Sequence, residues 1–271
     1  MQRIAALIGM AALTAALAGC GQGESSPSAK DTGTTTEATT KEAGRLLVGA
    51  DIPYVPFAFG DPPKYEGMDM DLVHEVGARL GLTVTIQKTP FDTIFRDVAQ
   101  GRFDMVAASV LITEERRKKV AFSVPYFNAD QSVMVKKGSG ITGVADLAGK
   151  RLGAVLAGTG EKWAKANVRT DTIRTYDMVD DAFKALAAGQ IDAVINDFPS
   201  SKFAVRTYDQ LEVVETIATG EQYGFVFKTG SPLRGKVDEA LLAMKRDGAY
   251  DRVYRKWFED APPANLLAGN G

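Results

Sequence analysis

The chain has 271 residues, of which 45% are hydrophobic and 24% charged, a composition ordinary for a globular protein with a sizeable core. The formal net charge of −2 and the lack of a long basic run give no basis for nucleic-acid binding. The single cysteine, Cys20, and the single histidine, His74, exclude an internal disulfide and a Cys/His zinc cluster, so we expect neither metal nor cofactor.

The amino terminus has the pattern of a targeting segment. An apolar run over residues 4–17 is too short to be a convincing membrane span and ends in Leu17-Ala18-Gly19-Cys20, which looks like a bacterial lipobox. We therefore expect a lipoprotein signal peptide over 1–19, with Cys20 as the lipidated first residue of the mature protein. A buried or reactive free thiol is the alternative interpretation of Cys20.

A polar segment follows this cysteine. Residues 21–43 are rich in Ser, Thr, Gly, Glu and Lys and carry almost no large apolar side chain. Such a segment cannot bury enough surface to offset the cost of ordering it. The composition predicts a flexible linker over 20–44 that holds the folded part outside the cytoplasmic membrane, in the periplasm or at the cell surface.

Strands alternate with helices through the folded part, about residues 45–260. The predicted strands are 46–50, 83–86, 104–110, 132–135, 151–156, 192–195 and 223–227. The predicted helices are one that Asp69 or Asp71 can cap and that ends near 80, then 90–99, 144–147, 158–167, 179–188, 199–208 and two within 235–258. We expect a loop over 51–63 and an exposed charged segment over 114–119. The alternation predicts an α/β fold with mostly parallel sheets.

An internal repeat lies within this pattern. Residues 95–109 read FRDVAQGRFDMVAAS and residues 183–197 read FKALAAGQIDAVIND. Each copy predicts a helix end, a glycine just beyond it (Gly101 or Gly189) and then a buried strand. Two such copies suggest two similar halves. Because ligands of open α/β sheets bind beyond the carboxyl ends of the strands, the repeat makes Ser109 and Asp197 candidates for one cleft.

From the first strand to Phe258 the sequence resembles the extracytoplasmic amino-acid-binding proteins of ATP-driven importers. Four stretches carry the resemblance: 53–57 (PYVPF), 66–72 (EGMDMDL), 112–126 (ITEERRKKVAFSVPY) and 247–258 (DGAYDRVYRKWF). Each stretch alone is weak, but their order and the lipobox together are specific. The resemblance implies a binding protein rather than an enzyme.

The resemblance also implies a two-lobed fold like that of type 2 periplasmic binding proteins, with two mostly parallel sheets, flanking helices and a cleft between the lobes. Lobe 1 would comprise 45–129 and 223–260, lobe 2 would comprise 130–222, and 261–271 would form a tail. The implied ligand is a free amino acid, the implied partner is a membrane-embedded ABC permease, and the implied state is a monomer.

A free amino acid offers a carboxylate and an ammonium, and a closed cleft must pair both because an unpaired buried charge is costly. Arg116 stands where the family places its ligand arginine, although a solvated arginine in a charged run is the alternative. The Thr113 hydroxyl could donate to the ligand or cap the local helix. The backbone N–H groups of Thr159 and Gly160, at the start of a helix, could bind the same carboxylate.

Asp197 is the candidate for the ammonium, with a helix N-cap as its alternative, and Ser109 could contribute a carbonyl or hydroxyl. Tyr54 and Phe91 resemble the aromatic pair that packs the ligand's side chain, although Phe91 could instead be simple core. The remaining candidates line the far end of the ligand: Asp51, which would favour a basic or polar side chain, and Asn196.

Leu111 departs from the family pattern, which has a hydroxyl residue at this position that helps to hold the ammonium. A different small solute is therefore the alternative ligand. An enzyme like the cyclohexadienyl dehydratases, which share the fold, is the alternative function, with Glu161 or Asp51 as its general acid.

Overall fold

The computed structural model describes residues 40–258 and 260–268. The strands are β1 (Arg45–Ala50), β2 (Phe59–Asp61), β3 (Lys64–Glu66), β4 (Thr83–Lys88), β5 (Met105–Val106), β6 (Ala121–Phe122), β7 (Phe127–Asn128), β8 (Gln131–Lys136), β9 (Leu152–Val155), β10 (Ile173–Tyr176), β11 (Ala193–Asp197), β12 (Leu211–Ile217), β13 (Gln222–Tyr223) and β14 (Val226–Phe227). The helices are α1 (Met68–Leu80), α2 (Ile94–Ala99), α3 (Glu114–Arg117), α4 (Thr159–Asn167), α5 (Val179–Ala187), α6 (Phe198–Ala204), α7 (Leu233–Asp247), α8 (Ala249–Phe258) and α9 (Ala264–Leu267), with a 3₁₀ turn at Val144–Asp146. Within these ranges no helix is both long enough and apolar enough to span a membrane.

Two five-stranded sheets divide the described chain into two lobes. Their strand orders, β4-β1-β5-β14-β6 and β10-β9-β11-β8-β12, follow the same plan. In each sheet three parallel strands are followed by a fourth strand that runs antiparallel to both of its neighbours. This arrangement confirms the predicted two-lobed α/β fold.

The sequence repeat corresponds to equivalent elements in the two sheets, α2–β5 in the first and α5–β11 in the second. Gly101 and Gly189 have φ angles of 73° and 72°, a left-handed conformation that glycine adopts without a Cβ clash. Their N–H groups donate to the carbonyls of Val98 and Leu186, three residues earlier. The prediction that both glycines terminate helices is confirmed.

Glycines in β1 and β9 show why each repeat has a large side chain just before its strand. A Cβ added at Gly49 would lie 2.7 Å from the Phe103 ring, and one at Gly153 would lie 2.5 Å from the Ile191 side chain. Phe103 and Ile191 hold the same position in the two repeats. The two lobes therefore use one packing solution, in which a bulky side chain lies against a bare strand backbone.

The chain passes between the two sheets along β7 and β13, which pair antiparallel with each other. Phe127 of β7 stacks on Tyr223 of β13 at a ring-centroid distance of 5.8 Å. Both lobes are thus connected through one small buried sheet. The lobe boundaries at 129/130 and 222/223 stay a prediction.

The two ends of the described chain contact the first lobe. Near the carboxyl end of the predicted linker, the Lys41 backbone N–H donates to Asp104 Oδ1 at 2.7 Å, and the Lys41 side chain donates to the Arg102 carbonyl. In the predicted tail, Leu266 of α9 is buried and the Asn265 amide bonds Asn128. The predicted signal peptide and Cys20 lie outside the described residues.

The local predictions fail where tertiary contacts decide the backbone. The predicted loop over 51–63 contains β2, which pairs with β3 just beyond it, and α1 is capped by Gly67, not by Asp69 or Asp71. Gly67 has φ 129°, and a Cβ there would lie 2.1 Å from the Phe57 carbonyl oxygen, so only glycine fits. The strand predicted over 104–110 is only two residues long, β5, and the chain turns at Ser109, which has φ 48°.

Candidate functional site

One cavity lies where the carboxyl ends of β1, β5, β9 and β11 approach each other. This is the position expected for a ligand of open α/β sheets. Ten of the predicted site residues line it: Asp51, Tyr54, Phe91, Ser109, Leu111, Arg116, Thr159, Gly160, Asn196 and Asp197. Ala108, Val155, Gly158 and Ile195 complete the lining.

Arg116 is a buried cation in the wall of this cavity, with 5% of its surface exposed. Its Nη1 donates to the Leu111 carbonyl at 2.9 Å, and its Nη2 donates to the Ala157 carbonyl at 3.3 Å. Its guanidinium carbon lies 5.5 Å from the Phe91 ring centroid and 4.9 Å from that of Phe95. Burial lowers the pKa of Arg116, but arginine stays protonated in proteins.

No ion pair of Arg116 occurs within residues 40–258 and 260–268, although the exposed Arg117 beside it pairs with Glu114. Arg116 therefore differs from the solvated cations of α3. The expectation that 114–119 is exposed is wrong at this position, because the side chain turns inward onto two phenylalanine rings. A buried guanidinium with neutral partners is suited to a carboxylate that arrives from outside the chain.

Asp197 supplies the opposite charge at the end of β11. Its Oδ2 accepts hydrogen bonds from the hydroxyls of Tyr54, at 2.9 Å, and Tyr223, at 2.6 Å. Its Oδ1 accepts one from Gln131 Nε2 at 2.5 Å. Burial raises the pKa of Asp197, while these three donors and the charge of Arg116 oppose the rise. The alternative role as a side-chain N-cap does not occur, since the carboxylate of Asp197 makes no capping bond to α6.

The amino end of α4 faces the same cavity. Gly158 and Thr159 begin the helix, and no side chain caps it, so the first N–H groups of the helix point towards the cavity with a partial positive charge. A Cβ at Gly160 would lie 2.5 Å from the Ile195 carbonyl oxygen, so glycine lets the helix approach β11 closely. The predicted anion site at Thr159 and Gly160 is thus in contact with the cavity.

Ala157, just before this helix, takes a left-handed backbone conformation with φ 60°, which is unusual for a residue other than glycine. Its N–H donates to Glu161 Oε2 at 2.8 Å, while its carbonyl accepts from Arg116. The other oxygen of Glu161 accepts from Lys165. Glu161 is therefore engaged in holding this loop and does not line the cavity, which removes it as a candidate general acid.

Asp51 lines a second part of the cavity. It is 4% exposed, and its Oδ1 has no hydrogen-bond partner in the described chain. Burial raises the pKa of Asp51 to about 7, with Lys88 lowering it and Asp92 raising it. The charges that act on Asp51 therefore come from the end of β4 and beyond, not from Arg116 or Asp197.

Ser109 is held by a carboxylate behind the cavity. Its N–H and its hydroxyl both donate to Asp69 Oδ2, at 2.8 and 3.2 Å. Asp69 is fully buried, and burial raises its pKa to about 7, a rise that hydrogen bonds from Ser109 limit. The bonds stabilise the left-handed conformation of Ser109 and leave its hydroxyl oxygen and carbonyl as the groups available to a ligand.

The other predicted residues have mixed outcomes. Thr113 does not line the cavity; its hydroxyl accepts from the Arg116 N–H at 3.2 Å and caps α3, so a direct role in ligand binding stays a prediction. Leu111 contributes its carbonyl to Arg116 as well as its side chain to the lining. Asn196 Nδ2 bonds the Asp197 carbonyl at 3.3 Å.

Among the described residues, the contacts that join the two sides of the cavity include the Tyr54 and Tyr223 hydroxyls with Asp197, Arg116 with the Ala157 carbonyl, and the ion pair of Glu115 with Lys162. The two hydroxyl contacts are buried and the Arg116 contact is partly buried. The ion pair is exposed on both sides, and an exposed ion pair contributes only about 0–1 kcal/mol. The buried contacts therefore dominate the closed arrangement of the cavity.

Four residues of the site were not identified from the sequence: Asp69, Phe95, Gln131 and Tyr223. The aromatic Phe95 falls at the head of the repeat, which predicts a helix end and a strand but no contact with the site. Tyr223 and Gln131 carry no local signal. Among the residues that the structure describes, no cluster of His, Cys, Asp and Glu is suited to a metal ion.

Comparison with known proteins gives a consistent set of matches. Residues 46–260 match the family described as bacterial extracellular solute-binding proteins, family 3. The chain is 32% identical over 223 residues to the L-cystine-binding protein TcyJ of Escherichia coli K12, covering 80% of this chain and 84% of that protein. It is 29% identical over 254 residues to the glutamine-binding protein GlnH of Bacillus subtilis, covering 91% and 93%.

A solved structure shows the same similarity in three dimensions. The arginine-, lysine-, histidine-binding protein ArtJ of Geobacillus stearothermophilus superposes with a TM-score of 0.78 at 32% sequence identity. The match covers 83% of this chain and 99% of that structure. The similarity therefore extends over nearly all of the part that the structure describes.

Proposed function

Because the chain belongs to the bacterial extracellular solute-binding proteins of family 3, we propose that it captures a free amino acid between its lobes and delivers it to the permease of an ABC transporter. Capture proceeds by lobe closure, in which the ligand favours the closed arrangement because it contacts groups from both lobes. The protein acts as a binding protein and not as an enzyme.

The observation that carries the proposal is a pair of opposite buried charges that face one cavity without pairing with each other. Arg116 and Asp197 both line the cavity, and no ion pair joins them. A zwitterion offers its carboxylate to Arg116 and the amino end of α4, and its ammonium to Asp197. Both buried charges then gain a partner, which an uncharged solute could not provide.

Asp51 supports a basic or polar ligand side chain. It lines the same cavity, and its buried Oδ1 has no hydrogen-bond partner among the described residues. A guanidinium, ammonium or amide group would satisfy it. The relatives above bind cystine, glutamine or the basic amino acids, so their ligands fall in this range of polar compounds. Tyr54 and Phe91 pack the aliphatic part of the ligand.

The pKa of Asp51 gives this proposal a dependence on pH. A cationic side chain pairs only with the ionised carboxylate, and the pKa near 7 leaves most Asp51 protonated at pH 6. The affinity for L-arginine should therefore rise about tenfold from pH 6 to pH 8 and level off above. Calorimetry at several pH values checks this, with Asp51→Asn as the variant in which the rise disappears. An affinity for L-arginine that does not change over this range would exclude a salt bridge to Asp51.

A thermal-shift screen over the common amino acids and L-cystine tests the function itself. A ligand that binds only the folded protein, at a hundred times its dissociation constant, adds about 2.7 kcal/mol and should raise the melting temperature by about 5–10 °C. Calorimetry on each positive compound supplies the dissociation constant. If no amino acid shifts the transition and none gives a heat of binding, the proposed function is wrong.

We further propose that the protein is a lipid-anchored monomer outside the cytoplasmic membrane. The lipobox that ends at Cys20 and the polar segment after it support this placement. A diacylated or triacylated cysteine would fix the chain to the membrane surface near its permease, while the segment over 20–39 allows the lobes to reach it.

A further inference from the structure

Gln131 lies fully buried behind the cavity, and its side chain touches three parts of the candidate site at once. Its Nε2 is 2.5 Å from Asp197 Oδ1, 3.1 Å from Thr159 Oγ1 and 3.4 Å from Glu221 Oε2. Asp197 belongs to the ammonium site, Thr159 to the amino end of α4, and Glu221 to the segment just before β13. An amide nitrogen has two hydrogens, so the short bond to Asp197 is kept and the other two acceptors share the second hydrogen.

The backbone of Gln131 holds this side chain in place. As the first residue of β8 it is opposite Asp197 of β11 and Ile217 of β12. Pairing on both sides prevents the strand from shifting without loss of ladder hydrogen bonds. Strand β8 follows β7 directly, so Gln131 lies next to the hinge, which is formed by the paired strands β7 and β13. From there its side chain contacts both charge-binding regions of the second lobe, Asp197 and the amino end of α4.

We propose that Gln131 is a positioning residue that orients the Asp197 carboxylate towards the ligand's ammonium and ties it to α4 and the hinge. The inference rests on the proposed function. Among the described donors to the Asp197 carboxylate, Gln131 donates an amide N–H to one oxygen, whereas Tyr54 and Tyr223 donate hydroxyls to the other. One carboxylate oxygen is thus fixed from the second lobe and the other from the first lobe and the hinge.

A neutral donor at this position also favours the ionised form of two neighbouring carboxylates. Burial raises the pKa of both Asp197 and Glu221, and hydrogen bonding by Gln131 lowers both. Asp197 also raises the pKa of Glu221 through its charge. The charged groups that face Asp197 are Arg116 and Glu221, and the titratable groups are the Tyr54 and Tyr223 hydroxyls. Loss of the amide should therefore make Asp197 harder to ionise.

The test replaces Gln131 by methionine, which has a similar volume and no donor, and measures amino-acid binding by calorimetry from pH 5 to pH 8. The measurement is made in the Asp51→Asn background, so that the titration of Asp51 does not contribute. The probe is the amino acid that binds wild type most tightly among L-arginine, L-glutamine, L-histidine and L-cystine. We expect a loss of affinity of about ten- to a hundredfold and a shift of the acid limb of the profile to higher pH.

Gln222→Met is the matched control. Gln222 is another hinge glutamine, and its amide donates to Asn128 Oδ1 at 2.8 Å, so the same substitution there removes a hinge hydrogen bond without touching Asp197. Its affinity and pH profile should match those of the parent. Gln131→Glu, which keeps the shape, is measured alongside in case the methionine variant does not fold, and it should shift the acid limb in the same direction.

The outcomes separate two failures. If the wild-type protein binds none of the probes, the proposed function fails and this inference fails with it. If the parent binds and a folded Gln131 variant keeps both its affinity and its acid limb, only the positioning role is overturned. A loss of affinity of equal size in Gln222→Met, with no change in either pH profile, would assign the effect to general loosening of the hinge and also overturn it.

Discussion

Replacing Arg116 by methionine should weaken binding of the cognate amino acid by about 2–5 kcal/mol, or about 30-fold to 4,000-fold. Methionine keeps an unbranched apolar chain against the Phe91 and Phe95 rings but removes the charge that pairs with the ligand's carboxylate. Isothermal titration calorimetry at pH 8 measures the effect directly. The affinity of Arg116→Lys should fall between those of wild type and Arg116→Met, because an ammonium keeps the charge but not the planar fork.

The same variant should not lose stability when it is heated without ligand. A buried guanidinium that has no carboxylate partner costs desolvation energy, so an apolar side chain of similar length should leave the melting temperature unchanged or raise it. Opposite effects on affinity and on stability would identify Arg116 as a ligand-binding group rather than a structural one.

Arg117→Met is the control for this experiment. Arg117 follows in the same helix, and half of its side-chain surface is exposed in its pair with Glu114. Its removal should change affinity by less than about threefold, as expected for an exposed ion pair. Equal losses in the two variants would contradict a specific contact of Arg116 with the ligand.

Replacing Asp197 by asparagine should have a comparable effect at the other end of the ligand, a loss of about 2–5 kcal/mol. Asparagine can still accept from the Tyr54 and Tyr223 hydroxyls through its oxygen, and its NH2 can donate to the Gln131 amide oxygen once that amide flips, but it cannot neutralise an ammonium. The structure of the site should therefore survive while its selectivity changes. Calorimetry should show that the variant discriminates less against the deaminated carboxylic acid that corresponds to the cognate ligand.

Asp197→Asn and the removal of the ligand's amino group together form a double-mutant cycle, in which one change is in the protein and the other is in the ligand. If Asp197 pairs with the ammonium, the variant and the deaminated ligand each weaken binding, and their combination costs less than the sum. Asp209→Asn, an exposed carboxylate of the second lobe, is the matched control and should leave both affinities unchanged. Additive losses would show that Asp197 acts on the fold and not on the ammonium.

The fold could be predicted well from the sequence because its signals are local. Helix ends at Gly101 and Gly189 follow from the preference of glycine for the left-handed conformation, and the structure confirms both. The predicted cap of α1 is wrong because the decisive fact is the approach of the Phe57 carbonyl to Gly67, which no local pattern reveals. The contact of Asp69 with Ser109 is likewise invisible in the local sequence, which predicts only a helix cap there.

The residues of the candidate site also differ in whether the sequence alone reveals them. Asp197 stands out in the sequence because it ends an apolar strand, whereas Arg116 lies in the charged run of α3 and is distinguished only by the resemblance to the family. Gln131 and Asp69 do not stand out, since their roles depend on partners 66 and 40 residues away and on burial. The sequence could suggest which groups meet the ligand, whereas the groups that orient them require the packed structure.

The position of β14 affects the order in which the two sheets can fold when the chain emerges amino terminus first. The second sheet is built from residues 131–217 alone, so it can close as soon as that stretch is available. In the first sheet β14 lies between β5 and β6, so these strands wait for residues 226–227 before they gain their shared neighbour. The lobe whose residues emerge first is therefore completed last. Until β14 is in place, the edges of β5 and β6 that it will cover are unpaired and can pair with other chains.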